Sequence, residues 1–260
     1  MVEREAAPPR ICRLISMPGS IALVGSGEYL PAMAELEKSL IDDALSLGKK
    51  PIYLQIPTAA GRESDDRLDY WRTLGKRQAD SLGIEQVFLP IYDRDGTLNL
   101  EYAEAINDAA LIYLSGGDPH HLAQSMRDTP VWDSITSNWK SGSSLAGCSA
   151  GAMVLSKQIP NFRILKHGPT PGLGLLTEIR VIPHFNKFFK WIPDSAATVL
   201  MHAPDDQILL GIDELTALVK RPSEDSWQVH GQAKVHVLKG LPTHAYSDKE
   251  EIKLPIDRIG

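Results

Sequence analysis

Residues 147–152 read Gly147-Cys148-Ser149-Ala150-Gly151-Ala152. Small residues flank a single hydroxyl, and a glycine stands two positions to either side. This spacing suits a sharp strand-to-helix turn that lifts the central side chain out of the backbone toward solvent. The pattern is G-x-S-x-G, and it makes Ser149 a candidate nucleophile for acyl transfer, provided that a base lies within reach. A Gly/Ala-rich helix entry packed on a sheet would read the same way, so the partners must decide.

A serine nucleophile needs a base, and the base needs an orienting acid. Of the eight histidines, His184 ends the apolar run Val181-Ile182-Pro183, where a strand would deliver it to a cleft. His120 and His121, directly after Gly116-Gly117-Asp118-Pro119, are rivals whose ordinary explanation is the first turn of a helix. His167, His202, His230, His236 and His244 read as structural or exposed. The acid candidates are Asp213 and Glu214 in Gly211-Ile212-Asp213-Glu214-Leu215-Thr216-Ala217. Period-2 alternation sends their carboxylates to opposite faces, so only one can meet the site. An oxyanion needs two N–H donors. Ala150, the residue after the nucleophile, is one, and Gly116 or Gly117 can supply the other. Neither glycine loop carries a phosphate-binding or dinucleotide fingerprint. Gly27, Glu28 and Asp118 on the loops, and Lys187 just after His184, are candidate substrate contacts.

The elements that must position these groups alternate. Apolar runs predict strands at 20–24, 51–57, 86–91, 111–114 and 144–146, with helical spacing at 32–47, 65–82, 102–109, 121–126 and 131–139. Near-continuous apolar strands between helices predict a parallel sheet covered on both faces. Ligands then bind beyond the carboxyl ends of the strands, where Gly25-Ser26-Gly27-Glu28, Gly116-Gly117-Asp118 and the Ser149 turn should converge. After a Gly/Pro-rich loop at 168–174, a strand at 178–183 runs into His184 and a helix covers 195–201. Short strands at 208–212, 216–219, 227–230 and 234–238 read as an antiparallel extension of the sheet.

The chain has 260 residues, 43% of them hydrophobic, and a net charge of −6. Its mean hydropathy is −0.16 and its pI about 5.8. No basic nucleic-acid footprint is present, and no apolar stretch is long enough for a membrane span. Residues 1–17 lack the apolar core of a signal peptide and read as a flexible tail, with Met17 an alternative start. Residues 18–260 then form a single domain. Cys12 and Cys148 are too few for a disulfide framework or a cysteine metal site. The expectation is a cytoplasmic protein without metal, cofactor, membrane or nucleic acid, and with room for a homodimer.

Together, Gly116-Gly117-Asp118-Pro119, the Ser149 turn, Pro183-His184-Phe185 and the Gly211–Ala217 segment come in the order seen in peptidase family S51, which includes aspartyl dipeptidase and cyanophycinase. The resemblance runs from about Ser20 to Leu238. It implies the class I glutamine amidotransferase-like fold, a three-layer α/β sandwich, with serine in place of the amidotransferase cysteine. Ser149 would be nucleophile, His184 base and Glu214 acid, with Asp213 the fallback. Gly117 and Ala150 would form the oxyanion hole, and Cys148, beside the central position, would face the core. The implied activity is hydrolysis of a short peptide or amide. Cyanophycinases carry glutamine before the histidine and arginines after it. Here Pro183 precedes His184, and residues 185–191 contain no arginine. A bidentate carboxylate clamp is missing there, and lysine is no equivalent, so cyanophycin cleavage is not expected.

Overall fold

The five apolar runs of the first half lie side by side as β1 (Ile21–Val24), β2 (Lys50–Ile56), β3 (Glu85–Phe88), β4 (Ala109–Leu114) and β5 (Ser144–Cys148). They pair in the order β1-β5-β4-β2-β3, all parallel. The computed structural model describes residues 17–159, 169–191 and 207–255. Alternation along the strands splits the core. Ile21, Leu23, Ile112, Leu114 and Leu145 face one layer. Ala22, Val24, Tyr53, Tyr113, Ala146 and Cys148 face the other. The second layer is closed by α1 (Ala34–Ser46), through Leu36, Leu40 and Ala44, and by α2 (Asp65–Ser81), through Ala79. Two short helices, α3 (Arg94–Leu98) and α4 (Leu100–Ala105), follow β3. The first layer is closed by α5 (Pro119–Met126), α6 (Pro130–Lys140) and α7 (Ala150–Val154). Both faces are covered, which is why these strands carry little polar residue.

The antiparallel extension exists, but it is smaller than the sequence suggests. The second half begins with β6 (Gln158–Ile159) and β7 (Thr170–Pro171), a two-stranded pair whose second strand lies in the Gly/Pro-rich region. There follow β8 (Ile179–Ile182), α8 (Phe185–Trp191), β9 (Ile208–Ile212), β10 (Thr216–Lys220), β11 (Trp227–Gly231), β12 (Val235–Lys239), β13 (His244–Tyr246) and β14 (Glu251–Ile252). Only β10, β11 and β14 extend the main sheet, antiparallel from β1. β9 and β12 instead join β8 and β13 in a separate four-stranded sheet. Burial explains the difference. Ile208, Leu210 and Ile212 pack into the first layer, while Leu209 packs on Ile182 and Phe188 from the other side. A strand buried on both faces belongs between layers.

Two smaller differences concern boundaries. The helix expected at 102–109 ends at Ala105, and Ala109 already belongs to β4. Asp108, at φ 63°, makes the break. β3 stops at Phe88, because Pro90 has no N–H to continue a ladder. The helix expected at 195–201, residues 1–16 with Cys12, and His167 and His202 lie outside the described residues. Among the described residues, no helix is long and apolar enough to cross a membrane.

Candidate active site

β5 delivers Cys148, and α7 begins at Ala150. Between them Ser149 takes φ 50° and ψ −105°, a conformation that costs on the order of 1–3 kcal/mol and persists only where its surroundings enforce it. The surroundings are close. A Cβ on Gly147 would lie 2.5 Å from Gly151 backbone, and one on Gly151 would lie 2.4 Å from the Leu114 carbonyl oxygen. The motif's two glycines therefore let the turn fold back on itself and seat α7 against β4. The Ser149 N–H donates to the Val24 carbonyl (2.9 Å), tying the turn to the end of β1.

Ser149 Oγ lies 3.0 Å from His184 Nε2, and His184 Nδ1 lies 3.0 Å from Glu214 Oε1. These residues come from the end of β5, the loop after β8 and the turn between β9 and β10. His184 sits at φ 50° and Leu215 at φ 54°. The His184 N–H donates to the Gly25 carbonyl (3.3 Å), and the Glu214 N–H donates to Asn186 Oδ1 (3.2 Å). Lys187 Nζ pairs with Glu214 Oε2. Burial would raise the Glu214 carboxyl, but hydrogen bonds from Lys187 and His184 outweigh it and hold the group below the usual carboxylate range. An ionised Glu214 favours the tautomer with its proton on Nδ1, leaving Nε2 free to accept from the serine hydroxyl.

The rival candidates are placed elsewhere. Asp213 is buried and accepts from the Lys234 N–H (3.1 Å) and from His236 Nε2 (3.2 Å). His120 Nδ1 meets Thr170 Oγ1 (2.7 Å), and His121 Nε2 meets the Tyr92 carbonyl (2.7 Å). Asp118 Oδ1 caps α5 by accepting from the His120 and His121 N–H groups. Lys187, expected as a substrate contact, is engaged with Glu214. Cys148 is fully buried. Burial, and then the Glu28 charge, push its thiol well above the usual range, so the cysteine remains a neutral S–H.

Among the described residues, the N–H groups of Gly117 and Ala150 donate no hydrogen bond. Gly117 takes φ 139°, and a Cβ there would lie 2.4 Å from the Ala59 carbonyl oxygen. Two cavities open beside this centre. One, of about 560 Å³, is bordered by Gly117, Asp118, His120, Arg62, Glu63 and Met153. The other, of about 360 Å³, is bordered by Gly27, Glu28, Glu214, Leu30, Tyr70 and Trp71. Trp71 Nε1 donates to Glu63 Oε2 (3.1 Å), so α2 and the turn before it wall both cavities.

Comparison with known proteins resolves the kinship. A model of peptidase family S51 matches residues 21–225. The chain belongs to peptidase family S51. Among its relatives, a cyanophycinase of Trichormus variabilis is 30% identical over 174 residues, which cover 61% of this chain and 55% of that protein. A cyanophycinase of Synechococcus elongatus is 27% identical over 202 residues, covering 74% and 58%. The matches thus span little more than half the length of these relatives. The crystal structure of a peptidase from an acI-B1 actinobacterium superposes with a TM-score of 0.90 at 61% identity, over 92% of this chain and 98% of that one. A candidate peptidase E protein of Listeria monocytogenes EGD-e, at 19% identity and a TM-score of 0.59, shares the fold.

Within this S51 chain, several bordering residues carry no signal in the sequence. Arg62, Tyr70 and Trp71 stand in and just before an ordinary charged amphipathic helix, and only the packing of α2 across the strand ends brings them to the site. Asn186 follows His184 by two, but its bond to the Glu214 backbone depends on a turn far along the chain.

Proposed function

We propose that this chain is a serine hydrolase that cleaves a short peptide or amide bond through an acyl-enzyme. The observation that carries this reading is the hydrogen-bonded line from Ser149 through His184 to Glu214, set beside two N–H groups that donate to none of the described residues.

In this mechanism Ser149 Oγ attacks the scissile carbonyl carbon while His184 Nε2 takes its proton. Glu214 holds the imidazole by Nδ1 and stabilises its charged form. The carbonyl oxygen gathers negative charge against the Gly117 and Ala150 N–H groups, whose fixed orientation needs no reorganisation as the charge develops. The C–N bond then breaks, and His184 returns the proton to the departing amine. Water, deprotonated by His184, attacks the ester carbon and frees Ser149. The cavities on either side accommodate only a few residues of substrate, which favours a dipeptide or similar small amide. Arg62 stands with Glu63 and Asp118 on the border of one cavity, and Glu28 with Glu214 on the border of the other.

A fluorophosphonate probe tests the nucleophile. Mass spectrometry should place one adduct on Ser149, and His184→Ala should slow labelling at least about 100-fold, in line with the loss of a general base. A folded protein that resists the probe, or is labelled elsewhere, would rule out the reading.

A further inference from the structure

Glu28 borders one of the cavities, yet both its carboxylate oxygens are engaged by the protein itself. Its Oε1 accepts the Gly116 N–H (3.1 Å), and its Oε2 accepts the Cys148 S–H (2.9 Å). These two partners precede the two free donors. Gly116 is the residue before Gly117, and Cys148 lies two before Ala150. One carboxylate thus clamps the loop after β4 to the end of β5.

The backbone around Glu28 is built to hold it there. Gly27 and Tyr29, on either side, take φ 93° and φ 62°, and positive φ at a tyrosine is uncommon. Tyr29 is buried, and its hydroxyl meets Ser115 Oγ (2.6 Å). Consecutive residues 28 and 29 therefore grip consecutive residues 116 and 115. Glycine at 116 is what admits the carboxylate so close, since a Cβ there would lie 2.6 Å from Glu28 Oε1 and 3.4 Å from Ser149 Cβ. An anion so near a developing oxyanion opposes catalysis by its charge. A favourable role for it there must therefore be geometric.

We infer that Glu28 is a positioning residue that sets the separation and aim of the Gly117 and Ala150 N–H groups by bridging Gly116 and Cys148. The inference rests on the hydrolase reading. The residue holds the donors and touches no reacting atom.

The test is steady-state kinetics of Glu28→Ala, Glu28→Gln and Cys148→Ala on a cleaved dipeptide, with fluorophosphonate labelling rates. Glu28→Ala should lower kcat about 100-fold, as for a lost oxyanion donor, with KM within about threefold. Glu28→Gln keeps an acceptor for Gly116 and should recover kcat to within about tenfold of wild type. Cys148→Ala, which keeps the Gly116 arm, should lower kcat about 3–10-fold with KM unmoved, and it carries the test if Glu28→Ala does not fold. Labelling rates should follow kcat. An effect confined to KM would make Glu28 a substrate contact and overturn the proposal, as would a glutamine variant no better than alanine. A wild type that labels but cleaves no peptide refutes the peptidase reading alone, and the labelling rates still decide the brace. A crystal structure of Glu28→Gln or Cys148→Ala beside wild type decides it even without labelling. The Gly117 N to Ala150 N distance should change by about 0.5 Å in Cys148→Ala, and an unchanged distance overturns the inference.

Discussion

Adjacent acids, Asp213 and Glu214, have opposite fates, and only their surroundings separate them. Strand alternation announces that one of them faces away. Which one depends on where β12 pairs, and that register involves residues more than twenty positions on. The proposed roles make two variants diverge. Glu214→Gln should lower kcat by about 10²–10⁴-fold at unchanged stability, as expected when the orienting acid of a triad is lost. Asp213→Asn weakens buried bonds to Lys234 and His236, so it should cost about 1–3 kcal/mol of stability with kcat of the folded protein nearly kept. Denaturant titration beside kinetics separates the two. Lys187 makes a third case. Its bond is the foremost influence holding the Glu214 carboxyl down. In Lys187→Met that carboxyl rises toward its usual value, and an NMR titration of Glu214 should follow it to higher pH. An unshifted titration would contradict the coupling.

At the scale of elements, the turn at Ser149 was legible because its requirements are local. A glycine on each side is a packing demand that the pattern states outright. Gly151→Ala would put a Cβ 2.4 Å from the Leu114 carbonyl oxygen. It should destabilise the protein by about 1–3 kcal/mol or more by overpacking, and it should slow probe labelling of the folded fraction by displacing α7. Calorimetry with labelling kinetics checks this, and a neutral variant would mean that the helix shifts freely. The parallel strands were equally legible from their unbroken apolar runs. The allotment of β9 and β12 to a second sheet was not. Both look like half-buried hairpin strands, and β12 remains one; only the packing of Ile182, Phe185 and Phe188 on Leu209 makes β9 interior. Glu28 illustrates the same limit. The sequence marks its loop, but not that its carboxylate turns inward to Gly116 and Cys148.

Across the whole molecule, the face beneath the site carries a cost. Glu37, on α1, is buried with Gln78 Nε2 bonded to its Oε2 (2.9 Å), in the layer that holds the clustered rings of Tyr29, Tyr53 and Tyr113. Burial pushes its carboxyl up from 4.5 to about 7. Folding therefore favours the protonated form. The associated stability is fully present below about pH 4.5, falls as the unfolded chain ionises, and is lost by about pH 7. The difference amounts to about 3 kcal/mol at most. Glu37→Gln should remove this dependence, so that its stability relative to wild type rises between pH 5 and pH 8. A constant difference across that range would show that Glu37 titrates normally.

The central claim is that Ser149, served by His184 and Glu214, cleaves a small peptide or amide. The most direct measurement is hydrolysis by purified wild-type protein and by Ser149→Ala of Asp-X dipeptides, neutral dipeptides and β-aspartyl-arginine. The account predicts turnover of a dipeptide class, abolished in Ser149→Ala, with β-aspartyl-arginine left intact. Turnover that survives in Ser149→Ala, or a folded wild type inert toward every member of the panel, would contradict it.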